Sequence, residues 1–463
     1  MDRMAAFLAA IGDIPRVTDP AAVRLKSRDR FAVSPLLRKM LKDKFADVIV
    51  TPRTRDEIAT VLSAAARARL PVTPRGGGTA NFGQSVPLEG GVLLDMTEFA
   101  GVVWQKPGVV RVKGGTIMSE VDDATRPRGW ELRIHPSTKR SATVAGFLSG
   151  GHAGIGSCAH GMLSDRGNIL ALEVMSLEEA PRIAELRGRD VDLVHHAYGA
   201  NGVILEAELP LAPAWDWREC LAAFPTYEQA ARFGVRLGHE DGIPRKLISI
   251  QEWPIPALMK PMAGLIPDGH SMVSCLVAAP FLDPFATIVE DEGGHIASTA
   301  AEGAGPYGAP LYEFSWGHSQ LHIQRTEPRY TSVMGLFPAD DLLGSILRVQ
   351  RRHAGVAPMR LELERSQGRL VAMGSPALLF ESDAQMAEMV QAMQAEGVSV
   401  ANSHSSSVKK VGIKQFGPRD AAFKREMDPL NLMNPGKLVF DAPEDARAGA
   451  DLPTSGWSLR KAV

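Results

Sequence analysis

A run of three glycines, Gly76-Gly77-Gly78, constrains this chain more than any other feature of its sequence. The run follows the apolar segment 70–73, which predicts a strand, and it precedes a series of Thr, Asn, Gln and Ser side chains. Because glycine has no Cβ, such a loop can take left-handed backbone angles and bring its main chain against another group. Successive N–H groups can then converge on a phosphate, with Arg75 adding a positive charge. The sequence therefore predicts an anion-binding loop, with a flexible surface loop as the alternative.

Length and composition predict a globular protein of enzyme size. A chain of 463 residues is expected to form two or three domains, and a net charge of -2 gives no electrostatic indication of a nucleic-acid partner. The three cysteines form no CxxC pair, which argues against a disulfide framework and a thiolate zinc site. The first thirteen residues hold too short an apolar run for a membrane span and lack a signal-peptide layout. We therefore expect a cytoplasmic protein without a transmembrane segment.

A β-α-β unit is predicted to deliver the glycine loop. Residues 47–50 have the pattern of a strand, and Thr54 with Glu57 fits a capping box before a helix with apolar residues at helical spacing. The strand over 70–73 follows. Further predicted elements are strands over 91–96, 109–113 and 169–175, and a helix over 116–126 with Thr116 as its N-cap.

A second glycine-rich region covers residues 141–161. Within it, residues 154–159 match the G-x-G-x-x-A dinucleotide fingerprint, but that fingerprint needs a strand directly before it. The preceding residues are too rich in glycine for a strand, so a Rossmann NAD site is disfavoured.

The sequence predicts a domain boundary near residue 214. A turn over 198–202 leads into a strand with Glu206 and Glu208 on one face, and prolines then indicate a domain boundary. Beyond it, helical patterns alternate with strand patterns, which is typical of an α+β domain. The predicted helices lie at 227–237, 339–352 and 384–396, and the predicted strands at 272–278, 311–316 and 369–371. From about residue 442 the sequence is a polar tail, in which Trp457 and Leu459 could dock.

Four segments, in this order along the chain, match a known family of flavoproteins: 75–79, 136–146, 199–204 and 428–438. Over roughly residues 40–440 the chain resembles the FAD-linked oxidases and dehydrogenases of the vanillyl-alcohol oxidase/p-cresol methylhydroxylase (PCMH) family. It is most similar to the members that act on D-lactate, glycolate and D-2-hydroxyglutarate.

The resemblance implies an α+β fold class, with a PCMH-type two-subdomain FAD-binding domain and a second α+β substrate (cap) domain. The implied divisions are an N-terminal arm (1–40), the FAD-binding domain (41–214), the cap domain (215–425), a C-terminal segment that returns to the FAD (426–441) and the tail (442–463).

The resemblance also implies which residues bind FAD. Non-covalent binding is expected because Thr79 stands where relatives often carry a tethering histidine, with His152 and Cys158 as alternative points of attachment. The implied cofactor-binding residues are Arg75, Gly76, Gly77, Gly78, Thr79, Asn81, Gln84, Ser85, Pro136, Ser137, Thr143, Gly146, Gly156, Ser157, His160, Gly161, Val203, Ile204, Asn434 and Lys437.

In the 2-hydroxy-acid members, two histidines of an H-x-G-D-G-N-x-H-like motif and a later acidic residue bind a metal. The nearest counterparts here are 312–322, which lacks the Asp-Gly-Asn centre, and 402–410, where Ser403 replaces the acid. These departures argue against a divalent metal, so no metal ligand is predicted. The adjacent pair His195-His196 would point to opposite faces of a strand and is interpreted as structural.

Alcohol oxidation needs a base, usually a histidine. Alternation over 311–316 predicts a strand with Tyr312, Phe314, Trp316 and His318 on one face, an aromatic wall above a flavin. Core packing is the alternative for the first two. The predicted catalytic residues are His318, His404, His322, Tyr312 and Lys410.

Together these features predict an FAD-dependent oxidoreductase that oxidises an alcohol-type C–OH by hydride transfer to flavin. A 2-hydroxy acid is the first candidate substrate. A phenolic or other aromatic alcohol is the second, and a catalytically inactive flavoprotein subunit is the third reading. The expected partners are a small-molecule substrate and an electron acceptor of unknown kind, with a homodimer as the default assembly.

Overall fold

A computed structural model describes residues 2–30, 33–440 and 458–462 of the chain. The first part begins with capped helices, in which the side chains of Asp2, Asp19 and Ser34 accept hydrogen bonds from first-turn N–H groups. Its elements are α1 Arg3–Ala10, β1 Arg16–Val17, α2 Pro20–Lys26, α3 Pro35–Leu41, β2 Val48–Val50, α4 Arg55–Ala68, β3 Val72–Arg75 and β4 Val92–Asp95.

The predicted β-α-β unit is confirmed. Strands β2, β4 and β3 pair in parallel, and β1 adds antiparallel to β2 at the edge. Thr54 Oγ1 accepts from Glu57 N at 3.1 Å, while the Glu57 carboxylate accepts from Arg53 N instead of Thr54 N. Buried Ile58, Val61 and Leu62 on α4 pack in the same core as the strands. The unit therefore holds the end of β3, where the glycine run begins.

The middle part forms a second sheet. Its elements are β5 Val102–Lys106, β6 Val109–Lys113, α5 Met118–Thr125, β7 Trp130–Leu132, α6 Val144–Gly150, α7 Ser157–His160, β8 Ala171–Met175, β9 Arg182–Arg187 and β10 Val203–Pro213. Glu206 and Glu208 lie on one face of β10 as predicted, since both accept hydrogen bonds from Arg111 of β6. The dinucleotide-like motif leads only into the four-residue helix α7.

Helix α5 corrects the predicted N-cap. Its N-cap is Ile117, whereas the Thr116 hydroxyl accepts from Gly101 N at 2.9 Å and donates to Lys113 O at 2.7 Å. The Thr116 side chain thus closes the preceding turn, so the prediction that it starts the helix was wrong.

The last part is organised around a third, larger sheet. Its elements are β11 Trp217–Phe224, α8 Tyr227–His239, β12 Arg245–Gln251, α9 Ile255–Leu258, β13 Ser271–Ala278, α10 Leu282–Asp291, β14 His295–Ala301, α11 Trp316–Thr326, β15 Tyr330–Ser332, β16 Met334–Phe337, α12 Leu342–Arg352, β17 Arg360–Ser366, β18 Arg369–Gly374, β19 Ala377–Leu379, α13 Asp383–Ala395, β20 Ser399–Ala401, α14 Val408–Val411, α15 Pro418–Met427 and β21 Ser458–Lys461.

The third sheet is antiparallel throughout, in the order β14-β11-β13-β12-β17-β18-β16-β20. Buried residues of α8, α10, α12 and α13 pack with its apolar side chains in one large core. In this strand order β17 is a central strand, with β12 and β18 as its neighbours. Helix α7 of the preceding part packs against β17. The change of sheet between Pro213 and Trp217 supports the domain boundary that we propose near residue 214.

The predicted strand over 311–316 was wrong. Residues Leu311–Phe314 form a 3-10 helix, and α11 starts at Trp316. The apolar residues that suggested alternation pack in different places, with Tyr312 in a cluster with Ile155 and Phe314 in a cluster with Leu311. The alternation of apolar residues over 311–316 therefore reflects contacts on several sides of a tight turn. These residues do not form a flat aromatic face.

The C-terminal end returns to the second sheet. Strand β21 pairs antiparallel with β9, and Leu459 packs on the core beneath, as predicted. Trp457 and the rest of the segment 441–457 lie outside the described residues.

Candidate functional site

A cleft of about 270 Å³, open to solvent, lies where loops of the first two sheets meet the third sheet and α11. The glycine loop and the segment 136–154 form one side, and residues of α11, β16, β17 and β18 form the other. The cleft therefore has a wall made largely of backbone and a wall that carries charged and aromatic side chains.

The glycine loop forms the first wall and lies directly on the segment 141–143. Gly78 has φ +64°, in the left-handed region, and Gly77 has no room for a side chain because a Cβ there would fall 1.9 Å from Ser141 O. Thr79, Asn81, Gln84 and Ser85 continue the lining. The backbone of residues 76–79 is thus fixed against a second backbone segment and left open towards the cleft.

Arg75 supplies positive charge beside this loop. Its Nη1 donates to Arg28 O at 2.9 Å, and its buried Nε has no hydrogen-bond partner among the described residues. Burial lowers the pKa of Arg75, and the nearby carboxylates Asp29 and Asp95 oppose that shift. A half-buried cation with an unsatisfied donor beside open backbone fits the pyrophosphate of a dinucleotide.

The rest of the backbone wall contains two further segments that are predicted to bind FAD. Thr143 Oγ1 accepts from Gly146 N at 3.2 Å and so fixes the first turn of α6. The predicted residues that line this wall are Pro136, Ser137, Thr143, Gly146, Val203 and Ile204.

Asn434 and Lys437 stand behind the walls and brace them. Asn434 Nδ2 donates to Gln84 O at 2.9 Å and Tyr198 O at 2.7 Å, and Lys437 Nζ donates to Gly83 O at 2.6 Å. Burial lowers the pKa of Lys437 to about 7, against the attraction of Asp29. These two side chains hold cleft-lining loops together from behind.

Four predicted cofactor residues lie away from the cleft. Gly156 N donates to Lys246 O of β12, which joins this turn to the third sheet. Ser157 Oγ accepts from Gly154 N. His160 borders a separate surface pocket, and Gly161 follows it at the end of α7.

His318 is the predicted catalytic histidine that the structure places in the cleft. It lies in the first turn of α11, its Nδ1 has no hydrogen-bond partner among the described residues, and burial with nearby Arg30 lowers its pKa to about 4. The remaining predicted groups lie elsewhere. His322 packs on the Phe314 ring at 4.7 Å, and His404 Nδ1 hydrogen-bonds to Ser34 Oγ at 2.8 Å.

Tyr312 and Lys410 also lie outside the cleft. Tyr312 is buried with its ring edge against His135 at 5.1 Å between centroids, and burial raises the pKa of its hydroxyl. Lys410 is exposed on α14. Neither side chain is positioned to act on a ligand in the cleft.

The side-chain wall holds residues that the sequence did not single out. Arg360 and Glu362 of β17 line the cleft and are 4% and 7% exposed. Arg360 Nε donates to Ser375 O at 2.9 Å, and its Nη1 donates to Ser319 Oγ. No carboxylate of the described residues lies within salt-bridge distance of this guanidinium. Burial lowers the pKa of Arg360 to about 10.

Trp316 completes the side-chain wall and lies near His152 of the segment 136–154. Their rings are 6.2 Å apart, and burial lowers the pKa of His152 to about 4. Trp316 has φ +51°, and Tyr198, which also lines the cleft, has φ +55°. Left-handed backbone is uncommon for bulky residues and is typical of functional sites.

Within residues 2–30, 33–440 and 458–462, no group of three or more His, Cys, Asp and Glu side chains is placed to hold a metal ion. No helix in this part of the chain is both long enough and apolar enough to cross a membrane.

Comparison with known proteins agrees with this geometry. Residues 46–178 match the family model described as an FAD binding domain. The chain is 29% identical over 207 residues to D-lactate dehydrogenase of Archaeoglobus fulgidus, an alignment that covers 42% of this chain and 45% of the relative. It is 29% identical over 164 residues to D-2-hydroxyglutarate dehydrogenase of Escherichia coli, covering 33% of this chain and 16% of the relative. The chain thus spans less than half the length of these curated relatives.

Solved structures share the whole fold. An alkyldihydroxyacetonephosphate synthase superposes with a TM-score of 0.68 at 15% identity, over 93% of this chain and 84% of the other. At that identity the likeness concerns the fold alone. The matched domain and the curated relatives lead to one assignment: residues 46–178 of this chain form an FAD-binding domain of the PCMH type.

Proposed function

We propose that the chain is an FAD-linked dehydrogenase or oxidase that converts a 2-hydroxy acid into the corresponding 2-oxo acid. The observation that carries this proposal is Arg360, a cation buried in the cleft whose hydrogen-bond partners are neutral. Burying an unpaired charge costs several kcal/mol or more, so such a group is expected to meet an anion when the site is filled. A substrate carboxylate supplies that anion, and its flat shape matches the guanidinium fork.

The backbone wall would hold the cofactor. Residues 76–79 and Arg75 would bind the pyrophosphate, the segment 136–146 would support the second side, and Val203 and Ile204 would offer backbone groups. FAD, when bound, supplies the acceptor for the hydride that leaves the substrate carbon. Asn434 and Lys437 would keep the loops around it in position.

The side-chain wall would bind and orient the substrate. Arg360 would hold the carboxylate, while Trp316, Met334 and Met373 would cover the rest of the molecule and exclude water. His318 keeps a proposed role as a group that orients the substrate oxygen, because its Nδ1 lacks a protein partner. The aromatic-alcohol alternative was favoured by a flat strand face and by the weakened metal motifs, and the first of these does not exist. Such an alcohol would also bring no carboxylate to Arg360.

The function is tested by mixing the purified yellow protein anaerobically with a panel of 2-hydroxy acids and aromatic alcohols and recording the flavin absorbance near 450 nm, about where oxidised flavins absorb. We expect bleaching by 2-hydroxy acids of one configuration and none by aromatic alcohols that lack a carboxylate. Bleaching by aromatic alcohols alone would contradict the proposal. If no compound of the panel reduces the flavin, the result would favour the hypothesis of a catalytically inactive flavoprotein subunit.

We further propose that FAD is held without a covalent bond. Thr79 lies in the cleft-lining loop, with its Oγ1 accepting from Thr138 Oγ1 at 3.4 Å, and threonine has no atom that forms the usual tether. Acid precipitation is therefore expected to release all yellow colour into the supernatant. Colour retained in the pellet would identify a covalent link, and His152 would be tested first because Cys158 is buried outside the cleft.

A further inference from the structure

Glu362 is a buried carboxyl group with one oxygen held and the other unsatisfied. Its Oε1 accepts from Ser249 Oγ at 2.9 Å and from Trp316 N at 2.7 Å. Its Oε2 has no hydrogen-bond partner among the described residues, although buried polar atoms are nearly always paired. Because Glu362 lines the cleft two residues from Arg360 on the same strand, the free oxygen and the guanidinium belong to one subsite.

The surroundings of Glu362 favour a carboxyl group that binds a proton strongly. Burial raises its pKa to about 8, against the hydrogen bonds from Trp316 N and Ser249 and the attraction of Arg360. Glu362 in turn contributes to the raised pKa values of Glu364 on its own strand and Cys158 on α7. His152 and His318 line the same cleft.

We propose that Glu362 is the catalytic residue that accepts the proton of the substrate hydroxyl. This inference rests on the proposed oxidation of a 2-hydroxy acid at this site. Arg360 binds the carboxylate, and Glu362, on the same face of β17, accepts from the hydroxyl of the adjoining carbon. The two residues together recognise the two polar groups that define a 2-hydroxy acid.

The step balances without a metal or a further reactant. The O–H bond of the substrate breaks and its proton goes to Glu362 Oε2. The C–H bond at the same carbon breaks and its hydrogen leaves with both electrons to the bound FAD. The C–O bond becomes a carbonyl, so one two-electron oxidation releases a 2-oxo acid and leaves Glu362 protonated.

Glu362 is better suited to this step than the histidines of the cleft. A base with a pKa near the working pH combines adequate ionisation with strength as a proton acceptor. The pKa values of His152 and His318 are about 4, so both rings are weak proton acceptors. A hydrogen bond from His318 to the substrate oxygen remains compatible with this assignment.

Glu362→Gln tests the inference, because the amide keeps the shape and removes the proton acceptor. Glu364→Gln is the matched control, since Glu364 is a fully buried glutamate on the same strand that does not line the cleft. Flavin reduction by a 2-hydroxy acid is expected to slow at least about a hundredfold in Glu362→Gln and to stay near wild type in Glu364→Gln. Both variants should retain FAD.

The pH profile separates a base from a structural residue. In wild type, kcat/KM is expected to rise with pH up to about 8, because only ionised Glu362 accepts the proton. The residual rate of Glu362→Gln should lack that rise, and Glu364→Gln should keep it. A slow Glu362→Gln enzyme with the wild-type profile would overturn the assignment.

A binding measurement gives a result independent of turnover. α-Hydroxyisobutyrate carries the hydroxyl and carboxylate but no oxidisable C–H bond, and pivalate lacks the hydroxyl. Above the pKa of Glu362, wild type and Glu364→Gln should bind the hydroxylated acid about ten- to a hundredfold more tightly than pivalate, as judged by the flavin spectrum. Glu362→Gln should lose that preference while its affinity for pivalate stays within about threefold.

The outcomes test the role of Glu362 separately from the proposed oxidation of a 2-hydroxy acid. If 2-hydroxy acids reduce wild type and Glu362→Gln equally fast, or Glu362→Gln keeps the preference for the hydroxylated acid, the role of Glu362 is refuted and the proposed function stands. If wild type is not reduced but shows a hydroxyl preference that Glu362→Gln loses, Glu362 is the hydroxyl acceptor and the proposed oxidation fails. If wild type neither reacts nor prefers the hydroxylated acid, both are refuted.

Discussion

Arg360→Met is expected to lower kcat/KM for 2-hydroxy acids by about thirtyfold to several thousandfold, the range for removing one partner of a buried charge pair. The guanidinium is buried, donates to Ser319 and Ser375, and lines the cleft with no carboxylate of the described residues within salt-bridge distance. Methionine fills similar space but cannot neutralise a substrate carboxylate. The loss should appear mainly in KM, because the carboxylate is bound before and during the reaction.

Two further variants make this result specific. Arg360→Lys keeps the charge but lacks the planar fork, so it should fall between wild type and Arg360→Met. Arg369→Met removes a surface arginine that pairs with exposed Asp340 and should leave kinetics unchanged. Rates come from stopped-flow flavin reduction, with the flavin-to-protein ratio as a check on loading. An Arg360→Met enzyme within about threefold of wild type would contradict carboxylate binding at this residue.

Gly77→Val is expected to abolish FAD retention, so that the purified variant is colourless. The positive backbone angle of the loop is at Gly78, which means that Gly77 is required for space and not for conformation. A Cβ at residue 77 would fall 1.9 Å from Ser141 O, a backbone atom that cannot rotate away. The loop must then leave the segment 141–143, and the two halves of the backbone wall separate.

The measurement is the ratio of flavin absorbance to protein absorbance after purification. Glu89→Gln, an exposed change near the same loop, should retain a full complement of FAD. Circular dichroism and thermal melting of Gly77→Val show whether the rest of the chain still folds. Full occupancy in Gly77→Val would mean that this loop does not cradle the cofactor.

The elements before residue 214 were predictable because their signals are local. Thr54 and the spacing of Ile58, Val61 and Leu62 specify a capped amphipathic helix, and the glycine run specifies a close approach of backbone. The residues that line the backbone wall were therefore brought together largely as expected. Asn434 and Lys437 lie close to that wall. The sequence could not show that they hydrogen-bond to the loops behind the cleft and do not line the cleft itself.

The side-chain wall could not be predicted in the same way. Arg360, Glu362 and Glu364 alternate with leucines, a pattern that normally indicates a strand with one face in water. Here both faces are buried because β17 is central in its sheet and α7 packs across it. Burial of that face depends on elements about two hundred residues away in sequence, so no local pattern could reveal it.

The C-terminal segment that ends at Asn434 affects the order in which the protein can fold and bind its cofactor. Val72 N donates to Leu432 O at 2.8 Å and Asn434 N donates to Val72 O at 2.7 Å, so residues 432–434 complete the open edge of β3. During synthesis that edge, made early, stays unpaired until the ribosome has passed residue 434. The unpaired N–H and C=O groups of an open strand edge can pair with the wrong strand or with another chain. We therefore expect flavin loading to be a late event, and we expect the edge of β3 to need protection for most of translation.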